Sequence, residues 1–226
     1  DKISIVKKLI ILGVSLMYGV CFLLGEFYSS AKPIKKYIAL TFDDGPSSIT
    51  PQLCALLKDY GVKATFFVLG KNVKRYPSYL KRIKDDGHLI GNHTYSHKNF
   101  YKISQDKLKS EIISEIKKAE DEIYQVIAIK PSVLRYPYGY NTPFSIKIAE
   151  NMGYDVYSWT FGYDWNDLDI DKLSDMYIQN IKPGAILLLH DTPKRNKRVI
   201  ELTKRIIEWA KKEGYEIVRL DEMVFK

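Results

Sequence analysis

The chain is poor in the residues that build disulfide frameworks and thiolate metal sites. It has two cysteines among 226 residues, Cys21 in an apolar run and Cys54 on a predicted helix face. This scarcity excludes a disulfide scaffold and a cysteine-rich zinc module, and Cys54 is predicted to be a small core residue. Histidine is also scarce, at four residues, so the positions of those four are informative.

Other absences narrow the class of function. The sequence has no Gly-x-Ser-x-Gly elbow, which argues against a serine esterase. It has no basic tract interleaved with aromatic residues, so no nucleic-acid partner is predicted. The net charge of +8 is spread along the chain. It predicts a basic soluble surface or attraction to anionic cell-wall or membrane polymers.

The N-terminal segment has the pattern of an export signal or a membrane anchor. Lys7 and Lys8 precede the apolar run Leu9–Leu24, and Glu26 follows it. The run is long for a signal-peptide core and slightly short for a full span. The positive flank should stay inside, so the rest of the chain is expected outside the cytoplasmic membrane, on its outer face or in the cell wall.

The remaining length supports one domain with a sizeable core, since 46% of the residues are hydrophobic. We predict a signal peptide or anchor with a short linker over 1–31, and a catalytic domain over 32–226. Small residues at Ser29 and Ala31 would permit cleavage after Ala31. The domain is expected to be a monomer, with a membrane contact only if the N-terminal segment is uncleaved.

Strand-like and helix-like runs alternate from Lys36 onward. The strand-like runs are Tyr37–Phe42, Ala64–Leu69, His88–Gly91, Val133–Tyr136, Asp155–Thr160, Ala185–Leu189 and Glu216–Leu220. The helix-like runs between them are stopped by glycine or proline. This alternation predicts an α/β fold with parallel strands and crossover helices. It is compatible with a (β/α) barrel of about seven strands and with an open doubly wound sheet.

Polar residues follow the ends of five predicted strands, and this favours the barrel. These positions are Asp43–Asp44, His93 and His97, Arg135, Asp164–Trp165, and His190–Asp191. In a (β/α) barrel the carboxyl ends of the strands converge on one face, which carries the active site. The sequence therefore predicts one site built from several distant segments.

The residue types at these strand ends fit metal-assisted hydrolysis. One carboxylate of Asp43–Asp44, with His93 and His97, makes a three-ligand set for a divalent ion such as Zn²⁺ and leaves one position for water. The second carboxylate can act as a base. Each motif also has a structural interpretation, as a solvated turn for the aspartates or as two unrelated histidines on a helical turn.

Two further positions fit the same chemistry. Arg135 precedes the Pro- and Gly-stiffened loop Tyr136–Gly139, where it can orient a carboxylate beside N–H groups aimed at an oxyanion. His190 ends the apolar strand Ile186–Leu189, where it can donate a proton or simply cap the strand.

Five segments carry a resemblance to a known family. They are Thr41–Ser47, His93–His97, Arg135–Gly139, Asp164–Trp165 and Leu188–His190. In this order they resemble the five motifs of the polysaccharide deacetylase family, also called carbohydrate esterase family four. The resemblance covers about 37–220. It implies a distorted (β/α) barrel, and hydrolysis of N- or O-acetyl groups on a polysaccharide such as a bacterial cell-wall glycan, with a divalent metal.

The resemblance also implies a role for each matching residue. Asp44, His93 and His97 would hold the metal, which is expected to be Zn²⁺, with Co²⁺ or another divalent ion as alternatives. Asp43 would be the general base, and Arg135 would orient it.

On the other side of the reaction, His190 would protonate the leaving amine and Asp164 would hold His190. The backbone N–H of Tyr138 would stabilise the oxyanion. Trp165 and Leu188 would wall the acetyl pocket. Phe161 stands where the family often has an acidic residue, so substrate contacts there are expected to differ.

The function expected from these residues is N-deacetylation of an acetylated cell-wall polysaccharide, with peptidoglycan as the expected substrate. Three alternatives stay open: a deacetylase of chitooligosaccharides or O-acetylated polysaccharide, a non-catalytic glycan-binding relative, and a hydrolase of a small non-sugar amide. The full set of base, acid and metal ligands argues against mere binding. The sequence leaves open whether N-acetylglucosamine or N-acetylmuramic acid is the target.

Overall fold

The computed structural model describes residues 27–28 and 36–223. The apolar run Leu9–Leu24, predicted as a signal or anchor, lies outside this part of the chain. Within it, no helix is both long and apolar enough to cross a membrane.

One sheet of nine strands forms the centre of the molecule, and every strand pair in it is parallel. The strands are β1 Phe27–Tyr28, β2 Tyr37–Asp43, β3 Thr65–Val68, β4 Leu89–Asn92, β5 Val133–Leu134, β6 Asp155–Tyr157, β7 Phe161–Gly162, β8 Ile186–His190 and β9 Glu216–Ile217. Their order is β1-β6-β5-β4-β3-β2-β8-β7, with β9 beside β2.

Helices connect the strands. They are α1 Thr50–Asp59, α2 Gly70–Arg75, α3 Pro77–Asp85, α4 Gln105–Ile127, α5 Pro143–Asn151, α6 Ile170–Gln179, α7 Asn196–Lys212 and α8 Leu220–Met223. Side-chain hydrogen bonds cap the first turn of two of these helices. Thr142 and Ser145 form a reciprocal capping box at the start of α5, and Asp169 accepts from the Asp171 N–H at the start of α6.

The sheet fits a distorted barrel, as predicted, but its strand count is higher. All seven predicted strands are present, with bounds that differ by a few residues. The additional strands, β1 and β7, have two residues each, which is too short for any alternation to reveal them. They are the two ends of the strand order, and no pair between them closes the barrel in the described chain. β1 lies inside the range 1–31, so the sheet begins before residue 32.

Strand β2 lies at the centre of the fold. Its side chains point alternately to the two faces of the sheet, and one of these faces carries the site. All seven residues from Tyr37 to Asp43 are buried. Ile38, Leu40 and Phe42 pack in the main cluster with the helices, whereas Tyr37 and Ala39 pack in a separate cluster with residues of β3 and β8. Because side chains alternate along a strand, Thr41 and Asp43 share the face of that second cluster.

Candidate active site

A cavity of about 690 Å³ opens at the carboxyl ends of the strands. Eight of the ten predicted site residues line it: Asp43, Asp44, His93, His97, Tyr138, Trp165, Leu188 and His190. The other two, Arg135 and Asp164, are buried and hydrogen-bonded to lining residues. Four lining residues had no predicted role: Tyr136, Trp159, Thr192 and Lys194.

Asp44, His93 and His97 are gathered into one cluster whose donor atoms all lie within 4.8 Å of one another. Asp44 Oδ1 lies 3.3 Å from His97 Nε2 and 3.7 Å from His93 Nε2. This oxygen is buried and has no hydrogen-bond partner. A buried carboxylate oxygen without a donor is costly unless a cation meets it, so the donor set fits a divalent ion.

The His93 ring is oriented by its hydrogen bond. Its Nδ1 lies 2.6 Å from the carbonyl oxygen of Arg135. A carbonyl only accepts, so Nδ1 carries the proton. The lone pair of Nε2 is then available beside both carboxylates, 3.6 Å from Asp43 Oδ2 and 3.7 Å from Asp44 Oδ1. Burial lowers the pKa of His93 to about 3, which keeps the ring neutral and available as a ligand.

The loop that carries His97 is fixed from helix α4. Glu115 is buried and accepts from the Ser96 N–H at 2.7 Å and from Ser96 Oγ at 2.9 Å. His97 follows with a φ of 62°, and Asp44 has a φ of 72°. Both φ angles are in the left-handed region, which is strained for residues with a side chain, so the surrounding contacts must hold these two residues in place.

Arg135 holds Asp43 through one of its two oxygens. Its Nη1 donates to Asp43 Oδ1 at 2.9 Å and to Thr41 Oγ1 at 2.7 Å, and its Nη2 donates to the Ser158 carbonyl at 2.8 Å. The guanidinium lies over the Phe67 ring, 4.2 Å from the ring centre. Burial raises the pKa of Asp43, and the charge of Arg135 only partly opposes this.

His190 is held by both oxygens of Asp164. Asp164 Oδ1 lies 2.7 Å from His190 Nδ1, and Oδ2 accepts from the His190 backbone N–H at 2.8 Å. Burial opposes the charged ring, but the hydrogen bond and the charge of Asp164 outweigh it and raise the pKa of His190. His190 is the register partner of Asp43 on the neighbouring strand β2, which brings the two groups to one rim.

Tyr177 supports this pair from helix α6. Its hydroxyl donates to the Leu188 carbonyl at 2.6 Å and accepts from the backbone N–H groups of Tyr163 and Asp164 at 2.9 and 3.2 Å. The ring of Phe161 packs on Tyr177 at 5.0 Å. Phe161 therefore has a packing contact at the position where the resembled family often has an acid.

The loop after β5 shapes the rest of the cavity. Tyr138 has a φ of 57°, and its exposed ring stands edge-on to the His97 ring at 4.7 Å. At Gly139, which has a φ of 64°, an added Cβ would lie 3.0 Å from the Trp159 ring. Trp165 lies on a different loop, 5.8 Å from the His190 ring.

Asp191 is the residue whose importance sequence reasoning missed. Its position after the predicted strand Ala185–Leu189 indicates no role by itself. Its fully buried carboxylate accepts from Ser47 Oγ at 2.7 Å and from Thr50 Oγ1. Gly45 comes so close that an added Cβ would lie 2.3 Å from Asp191 Oδ2. Asp191 thus ties the loop after Asp44 to the strand end that carries His190.

Burial raises the pKa of Asp191 to about 6, although its two hydroxyl partners oppose this. The signal in the sequence was the pair Ser47 and Thr50 after Asp43–Asp44. Two hydroxyls in such a loop need an acceptor if they are buried.

Comparisons with known proteins point to one family. A family model described as polysaccharide deacetylase matches residues 30–157. A peptidoglycan-N-acetylglucosamine deacetylase of Bacillus cereus is 35% identical over 200 residues, which cover 87% of this chain and 71% of that relative.

Solved structures are similar as well. The structure of the Bc1960 peptidoglycan N-acetylglucosamine deacetylase has a TM-score of 0.80 and 33% identity, and the match covers 88% of this chain and 92% of that one. BA3943 of Bacillus anthracis, described as a CE4 family pseudoenzyme, has a TM-score of 0.79 and 29% identity, with 87% and 68% covered. Fold similarity therefore extends to active and inactive relatives alike. The chain belongs to the polysaccharide deacetylase family.

Proposed function

We propose that this protein is a divalent-metal-dependent deacetylase that hydrolyses the acetamide of N-acetylated amino sugars in peptidoglycan. One observation carries the proposal. Asp43 and His190, each with its own orienting partner, line the same cavity as the Asp44–His93–His97 cluster. A protein that only bound glycan would not need a base and an acid beside a metal cluster.

Asp44, His93 and His97 would hold the ion. Two imidazoles and one carboxylate suit Zn²⁺, and such sites also accept Co²⁺ and related ions. When bound, the ion supplies Lewis acidity, which polarises the acetyl carbonyl and lowers the pKa of water.

Asp43 takes the proton from the attacking water. Arg135 occupies Asp43 Oδ1, so Oδ2 is the oxygen left for this task. A carboxylate whose pKa is raised by burial is a stronger base than an exposed one. The backbone N–H of Tyr138 donates to the developing oxyanion.

His190 gives a proton to the leaving nitrogen. Asp164 occupies Nδ1, so Nε2 is the atom that donates. The raised pKa of His190 keeps the ring protonated at a higher pH than free histidine would allow. Trp165 and Leu188 hold the acetyl methyl group in an apolar wall.

The choice of peptidoglycan is supported by the names of the relatives, two of which are peptidoglycan N-acetylglucosamine deacetylases. The direct test is acetate release from purified peptidoglycan, compared with chitooligosaccharides, by protein that has been stripped of metal and then reloaded. Release from peptidoglycan that depends on added metal supports the proposal. Glycan binding without any release would identify a non-catalytic relative instead.

We also propose that the apolar run Leu9–Leu24 exports the catalytic domain. Strand β1 pairs with β6 through Phe27 and Tyr28, so cleavage after Ala31 would remove a strand of the sheet. This favours a retained anchor. Protease accessibility in intact protoplasts tests the orientation, and N-terminal mass analysis of the exported protein tests retention. A protected domain would contradict export, and a mature N-terminus at Lys32 would contradict retention.

A further inference from the structure

Exposed aromatic side chains cluster beside the cavity. Within the described residues the large apolar side chains that are exposed are Tyr101, Ile113, Tyr124, Ile129, Tyr138, Phe144 and Trp165. Scattered singly, such residues need no explanation. Tyr138 and Trp165, however, line the catalytic cavity, and Tyr101 contacts the loop that carries Tyr138.

Tyr101 is exposed but firmly held. It lies in the short 3₁₀ helix Phe100–Lys102, and its backbone N–H donates to Asn99 Oδ1 at 3.0 Å. Its hydroxyl lies 3.4 Å from the Gly139 carbonyl oxygen. Its ring stands edge-on to the buried Tyr140 ring, with centres 4.7 Å apart. One contact fixes the backbone and two fix the side chain of a residue that remains 61% exposed.

A fixed, exposed aromatic ring beside an active site is suited to sugar binding. The faces of an aromatic ring are electron-rich and apolar, and a pyranose ring presents C–H groups on its faces. A ring that is already held loses little conformational entropy when a ligand stacks on it. Tyr138 is 58% exposed and lines the cavity. It directly precedes Gly139, the residue that the Tyr101 hydroxyl contacts.

We propose that Tyr101, together with the exposed ring of Tyr138, forms a stacking surface for the sugars that neighbour the deacetylated unit. The occupant is an N-acetylated glycan chain, because Tyr138 lines the cavity in which the acetamide is expected and Tyr101 contacts the next residue, Gly139. This inference rests on the proposed function and extends it. The protein binds a polymer segment, and it prefers long chains to short ones.

The test compares Tyr101→Ala with a matched control, Tyr124→Ala. Tyr124 is 57% exposed on helix α4 and does not line the cavity. Substrates are N-acetylglucosamine oligomers from the disaccharide to the hexasaccharide, with the metal-loaded protein. We expect Tyr101→Ala to lower kcat/KM for the hexasaccharide about three- to tenfold, through KM, which is the range for loss of one aromatic stack. The disaccharide value and the Tyr124→Ala variant should be unchanged, and Tyr101→Phe should keep most of the preference for length.

A second measurement separates this inference from the proposed function. The affinity for the hexasaccharide and for the disaccharide is measured by calorimetry in an Asp43→Asn background, with and without Tyr101→Ala. A selective loss of hexasaccharide affinity supports the stacking surface even if the wild-type chain releases no acetate. Equal losses for all lengths, or losses no larger than those of Tyr124→Ala, would overturn it.

Discussion

Two buried carboxylates of the site, Asp43 and Asp164, contact their basic partners in different ways. Arg135 donates to Oδ1 of Asp43, and the other oxygen, Oδ2, lies 3.6 Å from His93 Nε2 of the metal-binding cluster. One oxygen of Asp164 contacts Nδ1 of the His190 ring, and the other accepts a hydrogen bond from the His190 backbone N–H. The first arrangement keeps a carboxylate available as a base, and the second uses a carboxylate to hold an acid.

The cationic partners differ as well. Arginine keeps its charge at all relevant pH values, so Arg135 can orient Asp43 without taking part in proton transfer. Histidine titrates, so the partner of Asp164 can itself deliver a proton. The role of each pair follows from the atom that its hydrogen bonds leave unused, which is Asp43 Oδ2 in one pair and His190 Nε2 in the other. Variants at Asp43, His190 and Asp164 break the two pairs, and variants at Asp191 break the contacts between their strand ends.

The largest effect is expected at the base. Asp43→Asn should reduce acetate release about 10³-fold or more, because an amide cannot accept the proton of water while it keeps the shape of the carboxylate. Metal content should be nearly unchanged. Asp44→Asn is the matched control, since it should lose metal as well as activity. Metal loss in Asp43→Asn and retention in Asp44→Asn would reverse the two assignments.

The acid should show a strong dependence on the leaving group. His190→Ala should reduce hydrolysis of an N-acetyl sugar about 10²- to 10⁴-fold, because an amine must be protonated to leave. Hydrolysis of an activated aryl acetate should fall far less, since its leaving group needs little assistance. The ratio of the two rates is the measurement. Equal losses on both substrates would make His190 a structural or substrate-binding residue.

Asp164→Asn should change the pH profile more than the maximum rate. Asp164 raises the pKa of His190 against the effect of burial, and only the protonated ring assists the leaving amine. Removing that charge lowers the pKa, so the high-pH limb of kcat/KM should move to lower pH. Metal content should be unchanged. If the high-pH limb of kcat/KM does not move, a group other than His190 determines its pKa.

The sequence and its family resemblance predicted most of the rim and its two nearest supports, Arg135 and Asp164, but not the contacts behind them. Strand ends and residue types were enough to place Asp43, His93 and His190 near one another, because parallel strands end on one face. The supporting contacts of Glu115 and Asp191 depend on which helix or loop lies opposite, and spacing along the chain contains no such information. β1 and β7 escaped detection for a related reason, since two residues have no period.

The smallest effect on activity and the clearest effect on stability are expected at Asp191. Asp191→Ala removes the acceptor of two buried hydroxyls, Ser47 and Thr50. Each unsatisfied group costs about 1–3 kcal/mol, so the free energy of unfolding should fall by a few kcal/mol. Metal affinity should weaken, because the loop after Asp44 loses the hydrogen bonds that hold it to the end of β8. Asp167→Asn, at a fully exposed side chain, is the control and should change neither.

Asp191→Asn should change how the stability of the protein depends on pH. Burial raises the pKa of Asp191 from its usual 3.8 to about 6 in the folded protein, so folding favours the protonated form. The unfolded chain releases that proton first, and the wild-type protein therefore loses stability as pH rises from about 4 to about 6. The loss is on the order of 3 kcal/mol. Asparagine does not titrate, so the variant should lack this step. Denaturant unfolding of both proteins across that pH window measures the difference, and parallel curves would mean that Asp191 stays ionised throughout.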